Sequence, residues 1–462
     1  MSQINGYRLD VESIENKMGI KNAALRLNTL KKNEVLPFDT HGNIRVGIDN
    51  YDVLIKVIFQ KMLNTESVEL NDENEMMEHI FQKINTNCNS ELKNIINDLY
   101  FKEGYLSSFH PKVFLYQGKV KKSIENIATF FVKTFIDENV TTCVEKIMKT
   151  QPEHLLDEIM IGVLPEFKSK KSNSNFDCAA LIPEIQASFV EDFEFLSQDE
   201  QLFMTSVTKL FKYYLFFYVS QVIMNLKAGF TAETHIYPVH YFVEWEKISK
   251  TRPSYVKGWN MIQSKSKDIF AYTNLIQILN QTSDETFNGS FMEIKQALNQ
   301  LTPEERLIFT DSIDQLIYQI RSIHNMPELN TLVYEDIFGE YECIDRLLTT
   351  LHDCKSGGTA NRESAFDKYE MGILDIAKGD FLKARGRLGS TLNLTQEWII
   401  FFTKLAIGNN DKIRLNALWN ELEKRGLFFD KFTKEEIVLY FEKINVLEKK
   451  SDSGDAQYVR IL

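Results

Sequence analysis

Helix-breaking residues are scarce in this sequence: 462 residues include only 20 Gly and 9 Pro. That scarcity, beside many Leu, Ile, Lys, Glu and Phe, argues against a turn-rich β architecture and favours helices. Cysteine is also sparse. Cys88, Cys143, Cys178, Cys343 and Cys354 are odd in number, widely spaced and without a C-x-x-C pair. They make no disulfide framework, so the expected compartment is a reducing one, the cytoplasm. Long apolar runs are missing too. The most apolar stretch, Tyr213 to Leu226, is too short to span a bilayer and carries Ser220, Gln221 and Asn225. It reads as an aromatic-rich core helix, and no membrane association is expected. Residues 1–6 lack a basic segment followed by an apolar one, so no signal peptide is expected.

Catalytic and cofactor motifs are absent as well. No G-x-x-x-x-G-K-[ST] is present to cradle a triphosphate, no H-E-x-x-H to hold zinc, and no G-x-S-x-G elbow to activate a serine. Arg385 to Gly389 contains two glycines but is not a dinucleotide fingerprint. Cys343, His352 and Cys354 lack a fourth ligand at zinc-site spacing. A restriction nuclease wants an acid followed by E-x-K to hold Mg²⁺ and activate water. Asp157 with Glu166 and Lys168 fits that loosely. Glu15-x-Lys17, Glu293-x-Lys295 and Glu448-x-Lys450 show how readily the pattern arises by chance. The expectation is a non-enzyme with no cofactor and no bound metal.

The charge is uneven. The whole chain carries −12, which argues against a nucleic-acid footprint spread over the protein. From Phe381 to Leu462, however, 14 Lys+Arg face 11 Asp+Glu, a net of +3, which leaves −15 on residues 1–380. Two polar stretches, Lys168 to Asp177 and Lys355 to Ser364, read as boundaries. They delimit a helical N-terminal domain (1–170), a helical middle domain holding the aromatic-rich helix (178–354) and a C-terminal domain (365–462). Within the first two, apolar spacings of three and four predict helices over Asp52–Leu63, Glu91–Phe101 and Ser123–Ile136. Ser197 to Glu200 reads as a capping box. Thr302-Pro303-Glu304-Glu305 predicts a helix running to about Ile323. Lys112–Tyr116 and Ile236–Phe242 read as short extended pieces.

The C-terminal domain is the most legible part. A first helix opens at Thr395 and stops at Gly408-Asn409-Asn410. A second is expected over Lys412–Arg425, ended by Gly426. A third opens with a capping box, Thr433 to Glu436, and runs to Ile444. The pattern then turns extended, with Val446–Lys450 and Ala456–Leu462 bracketing a turn, Ser451 to Asp455, as in a β-hairpin. Three helices and a hairpin is the order of a winged helix-turn-helix. The expected fold is therefore mainly α, with multi-helical N-terminal and middle regions followed by a C-terminal winged-helix-like module. Weak, non-specific contact with the phosphates of double-stranded DNA is expected of Lys383, Arg385, Arg387, Lys434, Lys443, Lys449, Lys450 and Arg460. Against it stand Glu435, Glu436 and Glu442 on the third helix. The other reading is a module that docks protein.

Three segments here, Phe381 to Gln396, Lys424 to Asp430 and Leu447 to Val459, resemble the DptG (also called DndG) family of DNA phosphorothioation-dependent restriction proteins. The likeness covers about the last 80 residues; elsewhere it rests on length, helical character and Leu36-Pro37-Phe38. It implies an antiviral-defence role: a subunit of a bacterial complex that restricts DNA lacking a sulfur mark on its phosphates. The ATPase and helicase-like motifs of such systems belong to the F and H partners, which agrees with a chain that has none. The rival expectations are a stand-alone winged-helix DNA-binding regulator and a diverged nuclease.

Overall fold

A computed structural model describes residues 7–20, 36–37, 48, 50–66, 73–84, 90–102, 105–107, 109–152, 154–166, 180–226, 234–329, 339–357, 363–449 and 457–460. The polar stretch 168–177, residues 358–362 of the second polar stretch, and the turn 451–455 lie outside them. The fold is mainly α: nineteen α-helices occur among the described residues, with only short strands. None of these helices is long and apolar enough to cross a membrane. Packing divides the chain into two compact units, each assembled from separated stretches. One comprises Met1–Arg45, Val219–Tyr237 and Val256–Asp375; the other comprises Val46–Tyr218, Pro238–Tyr255 and Ile376–Leu462.

The first unit is built around the helix Ile269–Leu279, all eleven of whose residues are buried. It packs against Gly339–Asp353, which in turn lies along Pro303–Ile323. The latter helix starts as expected. Thr302 and Glu305 form a full capping box, and Pro303 occupies the first turn, where its missing N–H costs nothing. In the same unit, two side-chain amides act as a short ladder. Gln221 bonds both the N–H (2.8 Å) and the C=O (3.0 Å) of Tyr237. Asn225, one helical turn on, does the same for His235 (3.1 and 2.9 Å). Residues four apart on a helix share a face, as do residues two apart in an extended chain, so the periods match. This explains why Ile236 and its neighbours are extended without joining a sheet. Gln221→Ala should lower stability by about 2 kcal/mol, because two buried backbone groups lose their partners. An exposed Gln, such as Gln201, should cost under about 0.5 kcal/mol on the same change; equal losses in denaturant titrations would refute the ladder.

The second unit holds an aromatic core. Phe131 stacks on Phe211 at 4.8 Å and meets Phe189 edge-on at 5.4 Å. Helices Tyr51–Met62 and Lys122–Phe135, near the positions their apolar spacing predicts, supply much of it together with Pro183–Leu196. Two local readings are corrected here. Lys112–Tyr116 lies in a 3-10 helix, Pro111–Tyr116, not a strand. His110 caps it by accepting from the Lys112 N–H, and Pro111 fixes φ for the first turn. The long helix Glu200–Asn225 is capped by Asp199, which accepts from the Leu202 N–H at 2.6 Å. The Ser197 hydroxyl instead donates back to the Glu194 carbonyl (2.9 Å) at the end of the preceding helix.

After the hairpin β1 (Phe101–Lys102) and β2 (Tyr105–Leu106), two three-stranded sheets belong to the C-terminal part of this unit. Strand β3 (Phe242–Val243) runs parallel to β5 (Ser390–Leu394), and β4 (Leu382–Ala384) pairs antiparallel with the other edge of β5. The chain continues as a first helix (Gln396–Ile407), β6 (Lys412–Arg414), a second helix (Leu415–Lys424), a third helix (Lys431–Lys443), β7 (Leu447–Lys449) and β8 (Gln457–Arg460). Strand β8 is central, with Ile413 and Leu447 both opposite Val459. The second helix is thus shorter than expected, because Lys412–Arg414 pairs with β8 instead of coiling. The third begins three residues early. Asp430, not Thr433, is its cap, and accepts from the Thr433 N–H at 3.0 Å.

Candidate functional site

The C-terminal helices and hairpin carry most of the cations expected to touch DNA, and local carboxylates hold most of them. Lys434 lies 3.0 Å from Glu423, with its ammonium over the Trp419 ring. Lys449 pairs with Glu442 at 2.5 Å. Arg460 donates to the Asn445 carbonyl (3.0 Å) and faces Glu448 at 3.9 Å. On β4, Lys383 meets Glu244 at 2.6 Å. Arg385 differs: it donates to Asn393 Oδ1 (2.6 Å) and to the Glu244 backbone carbonyl (3.3 Å), with no carboxylate bonded to it. Arg387 and Lys443 are exposed. Lys450 lies outside the described residues. The structure therefore separates the seven described ones into two places, β4 with the turn after it, and the third helix with the hairpin.

The third helix is fixed by contacts that local sequence reading misses. Thr433, Ile437 and Phe441 point inward. Its first turn is held by a buried cluster with the segment after β3. Arg252 bonds Glu246 through Nη1 (2.5 Å), and Asp430 through Nε (3.0 Å) and Nη2 (2.5 Å). The Thr433 hydroxyl lies 3.0 Å from Glu246 and accepts from Arg252 at 2.8 Å. Burial pushes the Glu246 carboxyl up, outweighing Arg252 and the Val243 amide. Burial also acts to raise Asp430, but Arg252 and the Thr433 N–H outweigh it and bring that carboxyl down to about 2. Trp245 adds a ring contact with Tyr440 at 5.1 Å. No local motif announces a cluster spanning about 180 residues of sequence.

Among the charged residues that the third helix exposes, Lys431, Glu435, Glu442 and Lys443, stand two large apolar ones. Phe432 is 57% exposed and Leu439 58%. Beside them, Trp419, Phe429, Val438 and Leu439 line an open groove of about 690 Å³, edged by Lys431, Lys434 and Glu435. The groove's lining surface is more apolar than polar, so it suits an apolar side chain better than a base edge.

The residues considered for metal chemistry are dispersed. Asp157 accepts from the Tyr100 hydroxyl at 2.7 Å, and Lys168 lies outside the described residues. The Cys354 thiol donates to the Thr350 carbonyl, while His352 bonds Asp268 at 2.8 Å. Among the described residues no group of three His, Cys, Asp or Glu is placed to hold a metal ion. Set beside known proteins, the chain matches no protein-family model and no curated protein.

Proposed function

We propose that this protein is a non-catalytic subunit of a bacterial phosphorothioation-dependent restriction complex, with a C-terminal winged helix that docks protein. The affiliation rests on the resemblance of the last 80 residues to the DptG family. The docking reading rests on one observation: the third helix turns Phe432 and Leu439 outward. A DNA-reading helix offers free cations and polar groups to phosphates and bases. Here Lys434 is neutralised by Glu423, and Glu435 sits beside the groove. The helix–strand–helix–helix–hairpin order, with β8 between β6 and β7, supports the winged-helix reading. The partners are the ATPase and helicase-like F and H proteins of the same system, which supply the motor motifs missing here.

Tagged purification from the native host, with mass spectrometry, tests this. P-loop ATPases should co-purify in fixed ratio, and Leu439→Asp should reduce their recovery at least tenfold, because a carboxylate buried in an apolar contact is not repaid. Recovery of the protein alone at moderate salt would overturn the affiliation. Unchanged recovery with Leu439→Asp would remove the third helix as the docking surface.

A further inference from the structure

We infer that the turn joining β4 to β5, Arg385 to Gly389, together with Lys378, forms a phosphate-binding site for a nucleic-acid backbone. It stands whether or not the chain serves a restriction complex. The argument is one of charge left over after every local pairing is made. Residues 376–396 hold Lys378, Lys383, Arg385 and Arg387 against a single acid, Asp380. Asp380 is engaged 3.1 Å from Lys212. Two further acids act on Arg385, Glu246 and Glu244; Glu244 is taken by Lys383, and Glu246 by Arg252. Among the described residues, therefore, no carboxylate is bonded to Lys378, Arg385 or Arg387.

Geometry gathers these charges. The backbone at Lys378 pairs with that of Leu382, which puts Lys378 at the start of β4. Lys383 and Arg385 alternate with Ala384 and both reach the Glu244 carbonyl, so their heads are neighbours. Arg387 follows in the exposed turn Gly386–Leu388, which Gly386 and Gly389 close at φ of 58° and 77°. Arg385 is the most telling. Its Nε–H is buried without an acceptor, and its charged form is disfavoured by burial. A partly desolvated guanidinium served only by neutral oxygens gains more from an anion than one already paired. On the third helix and hairpin, by contrast, Lys434 and Lys449 are bonded to Glu423 and Glu442, and Arg460 shares Glu448 with Lys412. Sequence reading included Arg385 and Arg387 but passed over Lys378, which only the β4 bridge brings alongside.

Fluorescence anisotropy of the full chain with a labelled duplex of about 30 base pairs, titrated at salt from about 50 to 200 mM, tests the site. Expected is weak, sequence-independent binding that falls steeply with salt. Arg387→Ala and Lys378→Ala, both exposed and so unlikely to disturb folding, should each weaken binding about three- to tenfold and flatten the log–log salt slope by roughly one. Lys443→Ala, on the third helix, should change neither. Single strands of the same length should compete, because a backbone site reads phosphates. Three results would overturn the site: no binding at the lowest salt, a salt slope unmoved by Arg387→Ala and Lys378→Ala, or an equal loss with Lys443→Ala.

Discussion

Arg425→Leu is expected to destabilise the second unit by about 3–5 kcal/mol. Arg425 ends the second C-terminal helix with its side chain only 2% exposed, as is that of its partner, Asp192. Its Nη2 lies 2.7 Å from Asp192 Oδ1, and its Nε is 3.0 Å from both carboxylate oxygens. The Tyr214 hydroxyl completes the carboxylate's shell at 2.6 Å. The Arg425 carbonyl accepts from Tyr213, and the next residue, Gly426, turns the chain at φ 77° where the Phe217 ring leaves no room for a Cβ. Leucine removes the cation but not the buried anion, and the stranded charge is what costs. The double variant Asp192→Leu with Arg425→Leu should recover most of the loss, because the two charges then vanish together. Chemical denaturation of the two single variants and the double measures this. A single-variant loss below about 1 kcal/mol, or a double variant no better than the single, would show that the pair is not a coupled buried unit.

The same pair marks how far the sequence is legible. Apolar spacing predicts Tyr51–Met62, Lys122–Phe135 and Pro303–Ile323 nearly to the residue. In the first and third, the helix period, the cap and the first-turn charge agree within a dozen residues; Lys122–Phe135 has the period and Glu125 in its first turn but no side-chain cap. Legibility fails where a hydrogen-bonding partner is remote. Ile413 carries a helical pattern with Leu415, Leu418 and Leu422, yet it is a strand because β8 returns about 45 residues later and offers it a backbone ladder. Thr433 looks like a cap because Glu436 follows it, but Glu246 and Arg252 claim its hydroxyl. The proposed site follows the same rule. Arg385 and Arg387 are visible as a basic run, whereas their lack of carboxylates depends on Lys383 taking Glu244 and Lys212 taking Asp380. Counting charges along the chain cannot reveal which remain unspent.

Arg252→Met carries the other large effect, and it should depend on pH. Among the described residues Arg252 is the one cation bonded to Glu246 and Asp430, whose side chains are 1% and 4% exposed. With it gone, two buried carboxylates face each other across Thr433, and the loss at pH 7 should be about 3–5 kcal/mol. In the wild type, Asp430 sits at about 2, against an ordinary 3.8. A depressed carboxyl stabilises the fold above its unfolded pKa, and that contribution, about 2 kcal/mol, fades as the pH falls from about 4 to 2. In the variant the sign reverses for Asp430, while Glu246, already pushed up by burial, is raised further. Burial without a cation raises both carboxyls above their unfolded values, so both are destabilising when ionised and harmless when protonated. The gap between variant and wild type should therefore be widest near pH 7 and close as the pH falls through 4. Glu246→Gln in the Arg252→Met background should narrow the gap at pH 7, since an amide carries no charge to strand. Denaturant titrations at pH 7, 5 and 4 decide the matter, because a gap that stays constant with pH would mean that Arg252 holds the third helix by packing on Phe242 and Phe432 rather than by charge.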